Sequence, residues 1–191
     1  MGSMNAKPRT KLSARNAAGA RQALTGLTDA EASESIRGLF ALWSRPGFLA
    51  RRLHQISVAI FMDGMNELGL TPVQFGALSV VAIDPGIDQA DIGLELGLDR
   101  ANNGDVLNRL EKLGLVARHI AHHDRRTRKV YLTKRGREMV LTANKRLPVI
   151  QKRFLGPLSA AEKKVFLALL GKLIEKNNSL GRTVLRFSKS K

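Results

Sequence analysis

Between Asp88 and Thr133 the chain writes two short helix signals, each closed by a glycine, and then a basic hairpin. The first signal is Asp88-Gln-Ala-Asp-Ile-Gly-Leu-Glu-Leu, closed by Gly97. The second opens at Asp99, an N-cap residue type, and closes at Gly114. The ribbon from Val116 to Thr133 sets Arg118, Arg125, Arg126, Arg128 and Lys129 against the single acid Asp124. A helix pair joined by a Gly-containing turn is one established way into a DNA major groove. A basic ribbon directly after it has the form of a wing. This segment therefore restricts the fold to a winged helix-turn-helix: mainly α, with a small β-hairpin.

Charge points to the same partner. Of 191 residues, 32 are Lys or Arg and 16 are Asp or Glu, a formal net charge of +16. Such a field favours a polyanion, nucleic acid before an anionic membrane. No apolar run approaches the roughly 18 residues of a spanning helix, and no secretory leader is recognisable. A cytoplasmic protein with no membrane partner is expected. Cysteine is absent, which excludes disulfides and thiolate metal sites. His119, His122 and His123 share no helical face, so no metal and no other cofactor is expected. There is no nucleophile elbow and no phosphate-cradling glycine loop, so the chain does not read as an enzyme.

Outward from the hairpin, the chain divides into five stretches. Residues 1–30 form a flexible basic arm with Lys7, Arg9, Lys11, Arg15 and Arg21, and Met1-Gly-Ser reads as a cloning remnant. Residues 31–70 hold N-terminal helices. The main one, 48–68, is apolar nearly all round, a pattern that requires more than one packing neighbour. Residues 71–135 are the winged helix-turn-helix lobe, entered by a capping box at Thr71-Pro-Val-Gln. Residues 136–178 hold two further helices. The first is expected to kink or restart near Pro148, and the second opens with the capping box Ser159-Ala-Ala-Glu162. Residues 179–191 are a second basic tail. Helices 48–68, 137–154 and 160–177 carry more apolar surface than one small lobe can cover, so they are expected to pair with a second copy. A two-fold symmetric reader matches a palindromic operator.

The candidate DNA contacts follow from residue type and place. Arg100, Asn102, Asn103, Asn108 and Arg109 lie on the second helix of the pair; Arg can read guanine and Asn adenine. The same side chains also suit capping and phosphate contact. In the ribbon, Arg118, Arg125, Arg126, Arg128 and Lys129 suit phosphate or minor-groove contact. The polar strip Arg51, Arg52, His54, Gln55 and Ser57 interrupts the apolar helix 48–68. It serves either as a solvated face or as an effector pocket, with Trp43 covering a ring. The rival to a regulator is a sequence-independent DNA-packaging protein.

Several pieces resemble the MarR family of bacterial transcription regulators: Leu70-Thr-Pro-Val-Gln-Phe, Ile87-Asp-Gln-Ala-Asp-Ile-Gly, Leu96-Gly-Leu-Asp-Arg, Asn108-Arg-Leu-Glu-Lys-Leu-Gly-Leu-Val, Asp124-Arg-Arg and Leu132-Thr-Lys-Arg-Gly. The match spans roughly 48–177. The stretch from Pro46 to Phe61 is similar to the subgroup controlling aromatic-compound catabolism, whose members respond to aromatic acids or their CoA thioesters. The resemblance implies a homodimeric repressor that releases its operator when such an effector binds. It also implies a wing-tip Arg in the minor groove, Arg126, supported by Asp124.

Overall fold

The computed structural model describes residues 44–120 and 127–186. The chain divides into two units, Met1–Leu53 and His54–Lys191. The boundary falls inside helix α1, Pro46–Gly64. In the first unit, the Leu49 amide donates to the Arg45 carbonyl as the helix begins.

The second unit is built around the expected lobe. After α1, a 3-10 turn at Asn66–Leu68 ends on Gly69 at φ +62°, and helix α2 spans Pro72–Ile83. Its capping box is formed as expected: Thr71 Oγ1 accepts from Gln74 N, and Gln74 Oε1 accepts from Thr71 N. Strand β1 (Ile87–Asp88) then leads into α3 (Gln89–Leu96). Helix α4 (Arg100–Lys112) follows, with the Asp99 carboxylate accepting from Asn102 N at 2.9 Å. Strands β2 (Val116–Ile120) and β3 (Arg128–Leu132) form the ribbon. Helices α5 (Lys134–Leu155) and α6 (Ala160–Asn177) complete the order, α6 opening on the expected Ser159–Glu162 box.

The fold is thus mainly helical with a small antiparallel sheet. The sheet has three strands rather than the two of a bare hairpin, in the order β1-β3-β2. Ile87 pairs with Val130, and Val116 with Leu132. The extra strand is only two residues long, too short to show a period in sequence.

Met65, Leu70, Leu78, Val81, Ile92, Leu107, Leu110, Leu115 and Val130 are buried at the centre of the lobe. Val140, Ala143 and Ile150 bring α5 onto the same core. Two ion pairs, Arg146 with Glu67 and Arg153 with Asp63, tie α5 to the end of α1 and the turn after it. Helix α5 runs through Pro148 without restarting there. Pro148 deprives the Asn144 carbonyl of its partner, but both residues are exposed, so no polar group is sealed in the core. No residue of α1 or α6 is buried. Along α6, Val165, Leu167, Leu169, Leu173 and Ile174 are all at least half exposed.

Candidate nucleic-acid interface

Helix α4 is fixed by its buried stripe. Asn103, Leu107 and Leu110 are buried at spacings of four and three, which sets the rotation of the helix against α3. Asn102, Asp105, Asn108 and Arg109 lie off that stripe and are exposed, and Arg100, in the first turn on the side of Asn103, is exposed as well. Gly104 on this helix has open space where a Cβ would stand.

This rotation corrects one expectation. Asn103 is only 4% exposed, and its Nδ2 donates to the Gln89 carbonyl at 2.6 Å. It therefore joins α4 to the start of α3 instead of facing a groove. Its Oδ1 is buried without a hydrogen-bond partner among the described residues. The signal was present in the sequence, since counting back one and two turns from Leu110 gives Leu107 and Asn103. Asn102 is exposed, but its Nδ2 donates to the Asp99 carboxylate at 2.9 Å, reinforcing the cap. Arg100 and Arg109 are exposed on different sides of the helix.

Arg118 needs a second correction. Its side chain is 15% exposed and its guanidinium makes four hydrogen bonds within the protein. Nε donates to Glu111 Oε2 at 3.0 Å, and Nη2 donates to the same carboxylate and to Asn108 Oδ1. Nη1 reaches Gln89 Oε1 at 3.4 Å. One arginine on β2 thus braces the ribbon against α4 and the start of α3 rather than a phosphate. Its hydrogen bonds hold the Glu111 carboxyl below the usual glutamate range. The turn through Gly114 breaks any periodic link between Glu111 and Arg118, so spacing could not reveal this pair.

On β3, Arg128 is exposed, and Lys129 bridges to Asp88 at 3.0 Å across the β1–β3 pairing. That carboxylate raises the Lys129 pKa above its ordinary value. Asp124, Arg125 and Arg126 lie outside the described residues, as do Trp43, His122 and His123. His119 packs edge-on against Tyr131, with ring centroids 5.6 Å apart. Among the polar strip of α1, Arg51 and Arg52 in the first unit are exposed. In the second unit His54 and Gln55 are exposed, while the half-buried Ser57 donates its hydroxyl to the His54 carbonyl at 2.8 Å.

Beside this interface lies a cleft of about 670 Å³ between α3, the start of α4 and the root of β3. Gln89, Asp91, Arg100, Asn103 and Arg128 line it. Thr183, from the segment after α6, also lines it, as do Asp88 and Asp99. That segment returns to α3: the Arg186 amide donates to the Leu94 carbonyl at 2.9 Å, and its guanidinium pairs with Asp91 at 2.8 Å.

Comparison with known proteins agrees with this geometry. Residues 68–127 match the model of the MarR family. The transcriptional regulator HosA of Escherichia coli is 32% identical over 127 residues, covering 65% of this chain and 90% of the relative. Among solved structures, the PcaV transcriptional regulator of Streptomyces coelicolor in complex with its natural ligand is 31% identical, with a TM-score of 0.64. The superposition covers 70% of this chain and 94% of that one. The transcriptional repressor CouR bound to a 23-mer DNA duplex is 28% identical, with a TM-score of 0.66 and coverage of 70% and 94%. CouR bound to p-coumaroyl-CoA is 26% identical, with a TM-score of 0.65 and the same coverage.

Proposed function

The chain belongs to the MarR family of transcription regulators, and from that premise we propose that it is a cytoplasmic, homodimeric repressor of a palindromic operator. The observation that carries the proposal is the exposure of Arg100, Asn108 and Arg109 on α4, with Arg100 sharing a cleft with Arg128. Helix α4 enters the major groove. Arg100 and Asn108 read base edges, and Arg109, Arg128 and Lys129 meet phosphates. The wing tip, with Arg125 and Arg126 beside Asp124, reaches the adjacent minor groove. Arg118 and Asn103 hold these readers in place without touching DNA.

The exposed apolar side chains of α6 take a second copy as their occupant, together with the N-terminal helices. In the resulting dimer, residues 31–70 and 136–178 form the dimerisation region and residues 71–135 the DNA-binding lobe. Palindromic operators require such a two-fold reader.

An aromatic acid or its CoA thioester releases the operator. Support comes from the relatives, of which PcaV was solved with its natural ligand and CouR with p-coumaroyl-CoA. Further support comes from the polar strip Arg51, Arg52, His54, Gln55 and Ser57, with Trp43 upstream. The effector must favour a spacing of the two recognition helices that the operator rejects, because a ligand binding both states equally shifts nothing.

Footprinting tests the reading. A regulator protects one short palindrome and releases it on addition of the effector. Uniform protection of any DNA, insensitive to aromatic acids and thioesters, would identify a packaging protein instead.

A further inference from the structure

The segment after α6 is a closed, docked loop. A 3-10 turn at Asn178–Leu180 starts it. The Asn178 side chain then closes it, since Nδ2 donates to the Leu185 carbonyl and Oδ1 accepts the Leu185 amide, both at 2.8 Å. This two-way clasp fixes the positions of Gly181 to Leu185 from one side chain. Arg186 anchors the far end on α3 through its amide to Leu94 and its guanidinium to Asp91. Leu185 reaches the space above Gly97, within 3.7 Å of where a Cβ there would stand.

The location gives the loop its meaning. In a helix-turn-helix the first helix crosses the DNA backbone while the second enters the groove. Here α3 is that first helix, and Asp91 in its first turn is a carboxylate that would repel a phosphate. Arg186 neutralises it. Thr183 forms one wall of the cleft whose other walls include Arg100 and Arg128, and Arg182 precedes it directly in sequence. The cleft also holds the carboxylates of Asp88, paired with Lys129, and Asp99, which accepts from Asn102 as the α4 cap. From Gly181 to the end of the chain there are four cations, Arg182, Arg186, Lys189 and Lys191, and no acid.

We propose that residues 181–186 form a strap that belongs to the DNA-binding surface. It masks Asp91 and completes the cleft as a channel for one sugar–phosphate strand, with Arg182 as an added phosphate contact. The inference rests on the reading of α3 and α4 as a helix-turn-helix that binds DNA. It enlarges the interface beyond that lobe by an element from the far end of the chain. Because phosphate contacts carry no base information, the strap strengthens binding to operator and random duplex alike.

The test is equilibrium binding of the full chain and three variants to an operator duplex and a random duplex across a salt series, read by fluorescence anisotropy. Each phosphate contact contributes about 0.9 to the slope of log affinity against log salt, which is roughly eightfold in affinity near 0.1 M salt. Arg182→Ala should lower the slope by about that amount on both duplexes. Asn178→Ala changes no charge but opens the clasp, and it should produce a loss in the same direction. Deleting residues 181–191 should produce the largest loss. Thermal melts of the Arg182 and Asn178 variants separate loss of the strap from loss of the fold. Unchanged slopes in all three variants would overturn the proposal. So would tighter binding after deletion, which would make the strap a cover over the interface. If the intact chain binds neither duplex even at low salt, the DNA-binding reading falls, and the strap proposal with it. If the intact chain binds and the variants match it, only the strap proposal falls.

Discussion

The carbonyl oxygen of Leu115 fills the space that a β-carbon on Gly136 would need. The approach is made by Thr133, whose hydroxyl donates to the Gly114 carbonyl at 2.7 Å and accepts the Gly136 amide at 2.9 Å. The Thr133 amide in turn donates to the Leu115 carbonyl at 3.1 Å. One threonine therefore caps α5 and pins its first turn to the bend between α4 and β2. Only a residue without a side chain permits so short a distance.

Gly136→Ala should accordingly destabilise the fold by about 1–3 kcal/mol, since the obstacle is backbone and cannot rotate away. For a chain of this size that is a fall of several degrees in Tm, read by thermal denaturation. Gly104→Ala is the contrasting substitution. Nothing lies within 4 Å of its would-be Cβ, and it sits in a helix interior. It should stabilise by about 0.5–1 kcal/mol. A Gly104→Ala protein that melts lower than the parent would show that this open face is not open.

The Glu111–Arg118 brace makes a signed statement about acid. Hydrogen bonding to Arg118 holds the Glu111 carboxyl below its ordinary value of 4.5. A group depressed in the folded state contributes stability above its unfolded value and loses it as pH falls through the folded one. The contribution should thus be complete above about pH 5 and vanish progressively below 4.5. Urea midpoints of the parent and Glu111→Gln should differ by a constant amount near neutrality and converge in acid. A difference that grows as pH falls would contradict the assignment.

Asn103 and Arg100 should part company. Asn103→Ala removes a buried hydrogen bond to the Gln89 carbonyl, and should cost roughly 1–3 kcal/mol of stability while leaving base preference unaltered. Arg100→Ala should leave Tm nearly unchanged and cost about 1–3 kcal/mol at the operator, relaxing preference at one position. Melting curves and a selection of binding sites from a random pool would decide both. A shifted base preference in the Asn103 variant would return that residue to the interface.

The apolar exposure of α6 predicts concentration-dependent assembly. Leu169 and Leu173 are 55% and 60% exposed. Replacing both with Glu should give a monomer by sedimentation, with sharply weaker operator binding, because each half-site contact then stands alone. A double variant that remains dimeric at full affinity would remove α6 from the dimer.

Arg126→Ala should weaken binding more at A·T-rich operators than elsewhere if it enters a narrow minor groove, and equally everywhere if it meets phosphate. Aromatic acids and their CoA thioesters should raise Tm in proportion to the logarithm of their concentration. His54→Ala should reduce that shift without altering operator affinity of the ligand-free protein. Loss of operator binding in His54→Ala would make the polar strip structural.

What could be read from sequence was what chemistry fixes within a few residues. Thr71, Asp99, Thr133 and Ser159 each cap a helix because a short oxygen side chain satisfies an amide two or three positions on, and no distant partner is needed. Gly97 and Gly114 close their helices at φ +65° and +68° for equally local reasons. Side chains whose partners lie across a turn were another matter. Arg118 reads as a DNA contact in sequence because its charge is visible, whereas its distance from Glu111 depends on how β2 folds back on α4. Asn102 and Asn103 are chemically identical and differ only by about 100° of helix rotation, which packing against α3 decides. The strap was unreadable for the same reason, since Asn178, Leu185 and Asp91 meet only after the whole chain has been wound.

Helix α5 has a mechanical consequence. It is 22 residues long, about 33 Å, rooted at one end in the bend between α4 and β2 through Thr133 and Gly136 and gripped further along by Asp63 through Arg153. Such a rod is a lever with a stiff fulcrum. A tilt of only ~5° at one end displaces the other by roughly 3 Å over this length, about the span of one hydrogen bond. If α4 reads an operator as proposed, a small angular change among the apolar helices would be enough to lift a side chain out of reach of a base, with no part of the lobe unfolding.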